Sequence, residues 1–383
     1  MPQKKLPAVF MRGGTSKAVI FHARDLPASR EAWEPIFLSA IGSPDPNMRQ
    51  LDGMGGGISS LSKVCVIGPP SHPDADVDYT FAQVLIDKAR VDYNGNCGNM
   101  SSAIGPFAVD EGLIPKPRSM AVVRIHNTNT RKIIVSRFGM DGEEAAVAGD
   151  LAIDGVAGTG APIRLEFIEP GGAKTGKLLP TGKAVDQLKL PDGVHVTASL
   201  IDAANPCVFV PADAVGATAT EQPAEIDNRQ ELKGKLEALR CAASVAMGIA
   251  PNLGKAASIS VPLVALVAPP AAMCVLSGRK LAAADMDIAV RMMSNGQAHR
   301  ATPLTGALCL AVATRIPGSI PNKMARRLAP DVSQIRIGHA SGVIVVDARI
   351  DQSKDGVPHA EFAAVYRTAR RLFDGRVHYQ AET

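Results

Sequence analysis

The chain has 383 residues, 46% of them hydrophobic and 20% charged, with 41 Lys and Arg against 37 Asp and Glu. That length calls for about two domains rather than one core, and the apolar content excludes disorder. The near-neutral balance and the 4% aromatic content argue against nucleic-acid and membrane-surface partners.

With 35 glycines and 28 prolines, the chain reads as short strands separated by turns. In chain order, Ala8–Met11, Ala18–His22, Val64–Ile67, Asp78–Ile86, Val122–His126 and Ile133–Arg137 carry strand composition. Arg30–Ile41 is an amphipathic helix with Trp33, Phe37 and Ala40 on one side, and Ser101–Glu111 is a helix ending at Gly112. Its internal Gly105-Pro106 predicts a kink near one end. A boundary falls near Leu188–Gly193, where strand and turn signals restart, so the domains are expected at 1–188 and 189–383. Beyond it, Val194–Asp202, Cys207–Val210 and Ser260–Ala268 read as strands and Asn228–Met247 as a long helix. Asp287–Met293 and Gly306–Arg315 read as helices, Gln334–Ile337 and Gly342–Arg349 as strands, and Phe362–Leu372 as a closing helix. Met1–Pro7 lacks the form of a leader, and the longest apolar runs contain proline and are too short to cross a bilayer. Six single cysteines without a C-x-x-C pair suggest free thiols in a cytoplasmic protein, with Cys65, Cys207 and Cys274 buried.

Several strings could carry chemistry. Asn94-Gly95-Asn96-Cys97-Gly98-Asn99 puts a cysteine directly ahead of a helix, where N–H groups stabilise a thiolate or a bound carboxylate. It reads equally well as a tight turn. Thr302–Ala307 leads into the second Ala-rich helix and offers either a second anion-binding start or a plain Thr cap. Arg12-Gly13-Gly14-Thr15-Ser16-Lys17 lacks P-loop spacing and is either a carboxylate-binding loop or a basic hairpin. Gly53–Lys63 is glycine-dense, then serine-rich, and delivers Lys63 to the start of an apolar strand. Partial burial there would favour the neutral amine that acts as a base; a solvated lysine is the commoner outcome. The polar loops Thr175–Gly182 (with Lys177), His126–Thr130 and His339–Gly342 read first as turns. No metal-ligand spacing, Walker loop or dinucleotide fingerprint occurs, so neither a metal nor another cofactor is expected.

Taken together, Met11–Lys17, Gly42–Asp45, Asp52–Gly56, Ser62-Lys63, Asp76–Tyr79, Asn96–Asn99, Leu179–Gly182, Thr305–Ala307 and Arg315–Gly318 resemble the PrpF family. That family includes 2-methylaconitate cis-trans isomerase, 3-methylitaconate delta-isomerase, 4-oxalomesaconate tautomerase or delta-isomerase, and aconitate delta-isomerase. The resemblance runs in order from about residue 6 to about residue 380. It implies an α+β, diaminopimelate-epimerase-like fold: two similar domains, each a mixed β-barrel-like sheet around a central helix, with the ligand at the helix N-termini. Racemases of this fold supply one Cys from each half. Cys97 matches the first, whereas the second position falls at Thr305-Gly306, and Cys309 lies a turn further on. Lys63 matches the lysine with the main acid/base role in the isomerases. Arg300 stands where members often have Lys, and Ala340 where Pro is frequent, which bears on substrate preference.

The implied function is a cofactor-independent isomerase that moves or cis-trans isomerises the C=C bond of an unsaturated di- or tricarboxylate by allylic proton transfer. Lys63 is the expected base and Cys97 its acid/base partner or a stabiliser of the intermediate. Arg12, Ser16, Lys17, Ser62, Asn96, Gly98, Asn99, Met100, Lys177, Thr305, Gly306 and Ala307 are the expected substrate-binding set. The expected partner is the small polycarboxylate alone, with no nucleic acid or membrane and a homodimer left open. Two other classes stay in view: an amino- or hydroxy-acid racemase or epimerase, and a non-catalytic accessory to an iron–sulfur dehydratase.

Overall fold

Residues 4–22 fold back on themselves as a hairpin, β1 (Lys4–Gly13) and β2 (Ser16–His22), closed by Gly14 in the left-handed region at φ 50°. They begin a computed structural model that describes residues 3–93, 96–294, 296–327, 332–352 and 358–380. The chain packs as two compact units, Met1–Glu166 with Tyr366–Thr383, and Phe167–Val365. A break at 188/189 assigns Phe167–Leu188 and the C-terminal segment differently.

In the first unit, α1 (Trp33–Ile41) follows β2, and then come β3 (Lys63–Gly68), β4 (Val77–Val84), α2 (Gly98–Asp110), β5 (Met120–Asn127) and β6 (Lys132–Asp141). β1–β2 is antiparallel, β2–β3 parallel, β3–β4 antiparallel, β4–β5 parallel and β5–β6 antiparallel. The C-terminal strand Ala369–Tyr379 returns to pair with β1. Alternation sorts the side chains. Phe10, Val19, Phe21, Val64, Val66, Ala82 and Val84 pack with Phe37 and Ile41 of α1. The other face curves around α2, which touches β1, β2, β3, β5 and β6 and is buried at nearly every position. The helix continues through Pro106. Gly105 is required there, because a Cβ would meet Ser136 Oγ at 2.6 Å.

The second unit repeats this plan with β7 (His195–Ala203), β8 (Asn205–Pro211), α3 (Gln230–Ala246), β9 (Leu263–Ala268), β10 (Ile288–Ser294), α4 (Leu304–Arg315), β11 (Gln334–His339) and β12 (Gly342–Gln352). Its pairings run antiparallel, parallel, antiparallel, parallel, antiparallel in the same order. The helix between the fourth and fifth strands is again the buried one, with Leu304 and Gly306–Thr314 all buried. The two similar domains expected from the resemblance are therefore an internal duplication of topology.

Two expected helices are strands. All but the first residue of Asp287–Met293 falls in β10, whose residues 288–293 are buried on both faces, so no two-residue alternation marks it. Phe362–Leu372 falls in Pro358–Arg367 and Ala369–Tyr379. Its Ala and Arg content favours helix locally, and pairing with β12 and β1 overrides it. Cys274, expected buried, is exposed, whereas Cys65 and Cys207 are buried as expected.

The glycines before Lys63 serve close backbone packing. A Cβ on Gly53 would lie 2.2 Å from Gly42 N, and one on Gly55 would lie 2.3 Å from Gln50 Oε1. Gly53→Ala should therefore lower unfolding free energy by about 1–3 kcal/mol, as overpacked sites do. Urea denaturation checks this, and an unchanged midpoint would contradict the packing described.

Candidate active site

Lys63 opens β3 and is 7% exposed. Its Nζ donates to Gln83 Oε1 at 2.6 Å and lies 4.9 Å from the centre of the Phe81 ring. The β3–β4 register explains both contacts, since Lys63 pairs with Gln83 and Cys65 with Phe81. The burial expected for Lys63 is thus present. Cys65 and Tyr79 share this face. Burial first, then the neighbouring Cys97, pushes the Cys65 thiol up, while the Lys63 ammonium works weakly the other way. Burial, with Cys65 and Cys97 adding to it, likewise pushes Tyr79 up. Val64 and Val66 pack toward α1, so alternation puts Lys63 and Cys65 on the opposite face, which α2 covers.

Cys97 is the N-cap residue of α2, at φ −101° and ψ 98°, and is partly exposed. The Cys97 side chain does not cap this helix start, so the first-turn N–H groups of Gly98, Asn99 and Met100 form a donor set for an anion. Cys97 Sγ lies 3.9 Å from Oγ of Ser16, which is 3% exposed. The cysteine backbone is anchored as well, because Ser101 N and Oγ both donate to its carbonyl, at 3.0 and 3.1 Å. Asn96 Oδ1 accepts from Ser101 Oγ at 3.4 Å and from the buried Asn127 Nδ2 at 3.3 Å. Asn94 and Gly95 of the same motif lie outside the described residues.

The Gly13-Gly14 turn presses directly on this helix start. A Cβ on Gly13 would lie 2.7 Å from Asn99 O, and one on Gly14 would lie 2.3 Å from Asn99 Oδ1. Asn99 Nδ2 donates to Thr15 Oγ1 at 3.1 Å, and its Oδ1 accepts from Arg367 Nε at 3.1 Å. Burial brings the Arg367 guanidinium down to about 10.

The remaining expected ligands separate into groups. Lys17 pairs with Arg12 across β1–β2, and its Nζ lies over Phe10, a residue of the α1-side core. Alternation therefore puts Arg12 and Lys17 on the sheet face opposite Ser16. Arg12 donates to the carbonyls of Gly14 and Thr368, and burial, then Arg370, lowers its pKa. Ser62 is fully buried, with Oγ 2.6 Å from Gln50 Oε1 and 2.8 Å from Ile58 O. It ties the glycine-rich loop behind Lys63.

Lys177, Thr305, Gly306 and Ala307 belong to the second unit. α4 begins at Leu304 with Pro303 as its N-cap and no side-chain cap, so Thr305 lies inside the first turn and is not the cap. Gly306 passes Met292, whose Sδ would lie 2.6 Å from a Cβ there. Lys177 is exposed on a loop that the buried Asp202 holds by accepting from Lys174 N, Thr175 N and Thr175 Oγ1 at 2.7–2.9 Å. Cys309 is fully buried, and its Sγ lies 3.5 Å from Ile201 O. The loops carrying Arg300 and Ala340 meet, because Ser341 Oγ donates to Arg300 O at 2.6 Å.

Sequence reading missed Gln83, Asn127, Asn129 and Arg367. Asn127 and Asn129 stand in a string read as a turn. Asn129 links Phe81 to Tyr93 O, just before the Cys97 segment, through bonds of 2.7–2.9 Å. Among the described residues, no cluster of His, Cys, Asp and Glu forms a metal-binding group, and no helix is long and apolar enough to cross a membrane.

The family profile described as PrpF protein matches residues 3–380. The chain is 42% identical to a 3-methylitaconate isomerase of Eubacterium barkeri, over 99% of this chain and 98% of that one. It is 38% identical to a 2-methyl-aconitate isomerase of Cupriavidus necator, over 98% of each. It is 39% identical to a (4E)-oxalomesaconate Delta-isomerase of Novosphingobium sp. (strain KA1), over 97% of this chain and 96% of that one. The crystal structure of a methylitaconate-delta-isomerase superposes with TM-score 0.90 at 42% identity, over 99% of this chain and 96% of that one. A hydroxyproline epimerase of Agrobacterium vitis shares the fold at TM-score 0.52 and 12% identity, over 98% and 92% of the two chains.

Proposed function

The chain belongs to the PrpF family, and from that membership we propose which of its residues carry out an isomerase reaction. It is an isomerase of unsaturated carboxylates. The observation that carries the assignment of residues is a nearly buried Lys63 on the sheet face that α2 covers, with Cys97 as the N-cap residue of α2.

In the proposed step the Lys63 amine takes a proton from the carbon allylic to the substrate's C=C bond. The C–H electron pair spreads through the allyl system onto the adjoining carboxylate as a dienolate. The N–H groups of Gly98, Asn99 and Met100 hold that carboxylate and meet its growing charge. The other end of the allyl system then receives a proton, from the Lys63 ammonium or the Cys97 thiol. The double bond moves and the composition does not change. Rotation before reprotonation gives cis-trans exchange instead. Ser16 and Asn96 complete the first unit's contacts: Ser16 faces the thiol, and Asn96 is fixed by Asn127.

The substrate is one of four related acids: methylaconitate, methylitaconate, oxalomesaconate or aconitate. One methyl contact discriminates by only about 1–3 kcal/mol, so one acid should lead and others should turn over slowly. Proton NMR and ultraviolet absorbance of the four acids incubated with the protein test this. Turnover of at least one is expected, and no change in any of them would contradict the reading.

A further inference from the structure

We infer that Gln83 is a positioning residue for Lys63, acting through a neutral acceptor that fixes the amine without placing a full negative charge against it. The inference rests on the reading of Lys63 as the base. The amide orientation of Gln83 follows from its surroundings. Nε2 donates to the carbonyls of Ser62 at 2.9 Å and Ser59 at 3.1 Å, which leaves Oε1 to accept from Lys63 Nζ at 2.6 Å. The acceptor is thus locked by backbone on one side and by the β3–β4 register on the other.

An amide oxygen can only accept, so it claims one N–H of Lys63 and turns the rest of the nitrogen, including the lone pair of the amine, away from β4. A carboxylate in the same place would pair with the ammonium and hold the base protonated. The titratable groups placed around this pair are Cys65 on β3, Tyr79 on β4, Cys97 at the start of α2, and Asp92, which pairs with Gln83 on the short strand Val91–Asp92. The near-isosteric Gln83→Glu change leaves that set in place, puts a carboxylate against Nζ and replaces the Nε2 donor to Ser62 O and Ser59 O with an oxygen.

The test compares kcat/KM against pH for wild type, Gln83→Glu and Gln83→Leu, with thermal unfolding as a control. Activity requiring a free amine rises with pH. In Gln83→Glu the rising limb should move about 1–3 units upward, the usual effect of an opposite charge at contact distance, and activity should recover at high pH. In Gln83→Leu, kcat should fall about 10²-fold with KM nearly unchanged and no upward movement of the limb, as expected when a catalytic group loses its orientation. A Gln83→Glu profile that superposes on wild type, or a loss equal at every pH, would overturn the inference. If Gln83→Glu does not fold, Gln83→Leu decides, and a kcat within threefold of wild type overturns it. Lys63→Met separates the two levels. Full activity there removes the base assignment itself, whereas an inactive Lys63→Met with an unmoved Gln83→Glu profile removes only the role of Gln83.

Discussion

Lys63→Met should lower kcat about 10²–10⁴-fold, the usual contribution of one positioned acid/base group. Methionine keeps most of the side chain's length and apolar stem and removes only the nitrogen. The stem is 7% exposed over the Phe81 ring, so the fold should tolerate the thioether, and thermal unfolding should show little change. Binding of a saturated tricarboxylate should weaken far less than turnover, because the helix-start N–H groups remain. Steady-state kinetics on the leading acid, with isothermal titration of the saturated analogue, checks both halves. Activity within threefold of wild type would remove Lys63 from the mechanism.

Cys97 should be the thiol that matters to turnover, and Cys309 should not. Cys97 is partly exposed at the helix start, whereas Cys309 lies fully buried within α4. Cys97→Ser should slow isomerisation about 10²-fold or more. Cys309→Ser should leave kcat close to wild type and cost at most about 1–3 kcal/mol of stability, since its hydroxyl would face Ile201 O. Alkylation gives an independent readout. Iodoacetamide should reach Cys97 and the exposed Cys274, and a bound tricarboxylate should protect Cys97 alone. Cys65, Cys207 and Cys309 are buried and should react only on unfolding. Substrate-protected labelling of Cys309, with loss of activity on its substitution, would favour a two-cysteine epimerase instead.

Most of this architecture is readable in the sequence because its signals are local. Gly and Pro punctuate the strands, and the buried residues of β4, Val77, Tyr79 and Phe81, alternate with half-buried ones. Lys63 and Cys97 stand out because each sits where a loop delivers it to a regular element. What the sequence hides is pairing. β10 is buried on both faces and so lacks a period, and the Ala- and Arg-rich C-terminal segment becomes strand only because β1 and β12 receive it. The same limit governs the site. Gln83 shares the strand face of Tyr79 and Phe81, so a polar residue at that position is itself a visible signal. That it touches Lys63 depends on a register across the intervening loop 69–76 that no local pattern encodes. Arg12 and Ser16 show the converse: they are close in a promising motif, yet alternation sends them to opposite faces.

Deuterium incorporation from solvent reports on the allylic proton transfer itself. The leading acid is incubated with the protein in deuterated water, and both substrate and product are followed by proton NMR. Allylic proton transfer through an exchangeable amine or thiol predicts solvent deuterium at the carbon that is reprotonated, and none incorporated by Lys63→Met at a comparable rate. Product formed without deuterium, or deuterated product formed by Lys63→Met at the wild-type rate, would contradict the account.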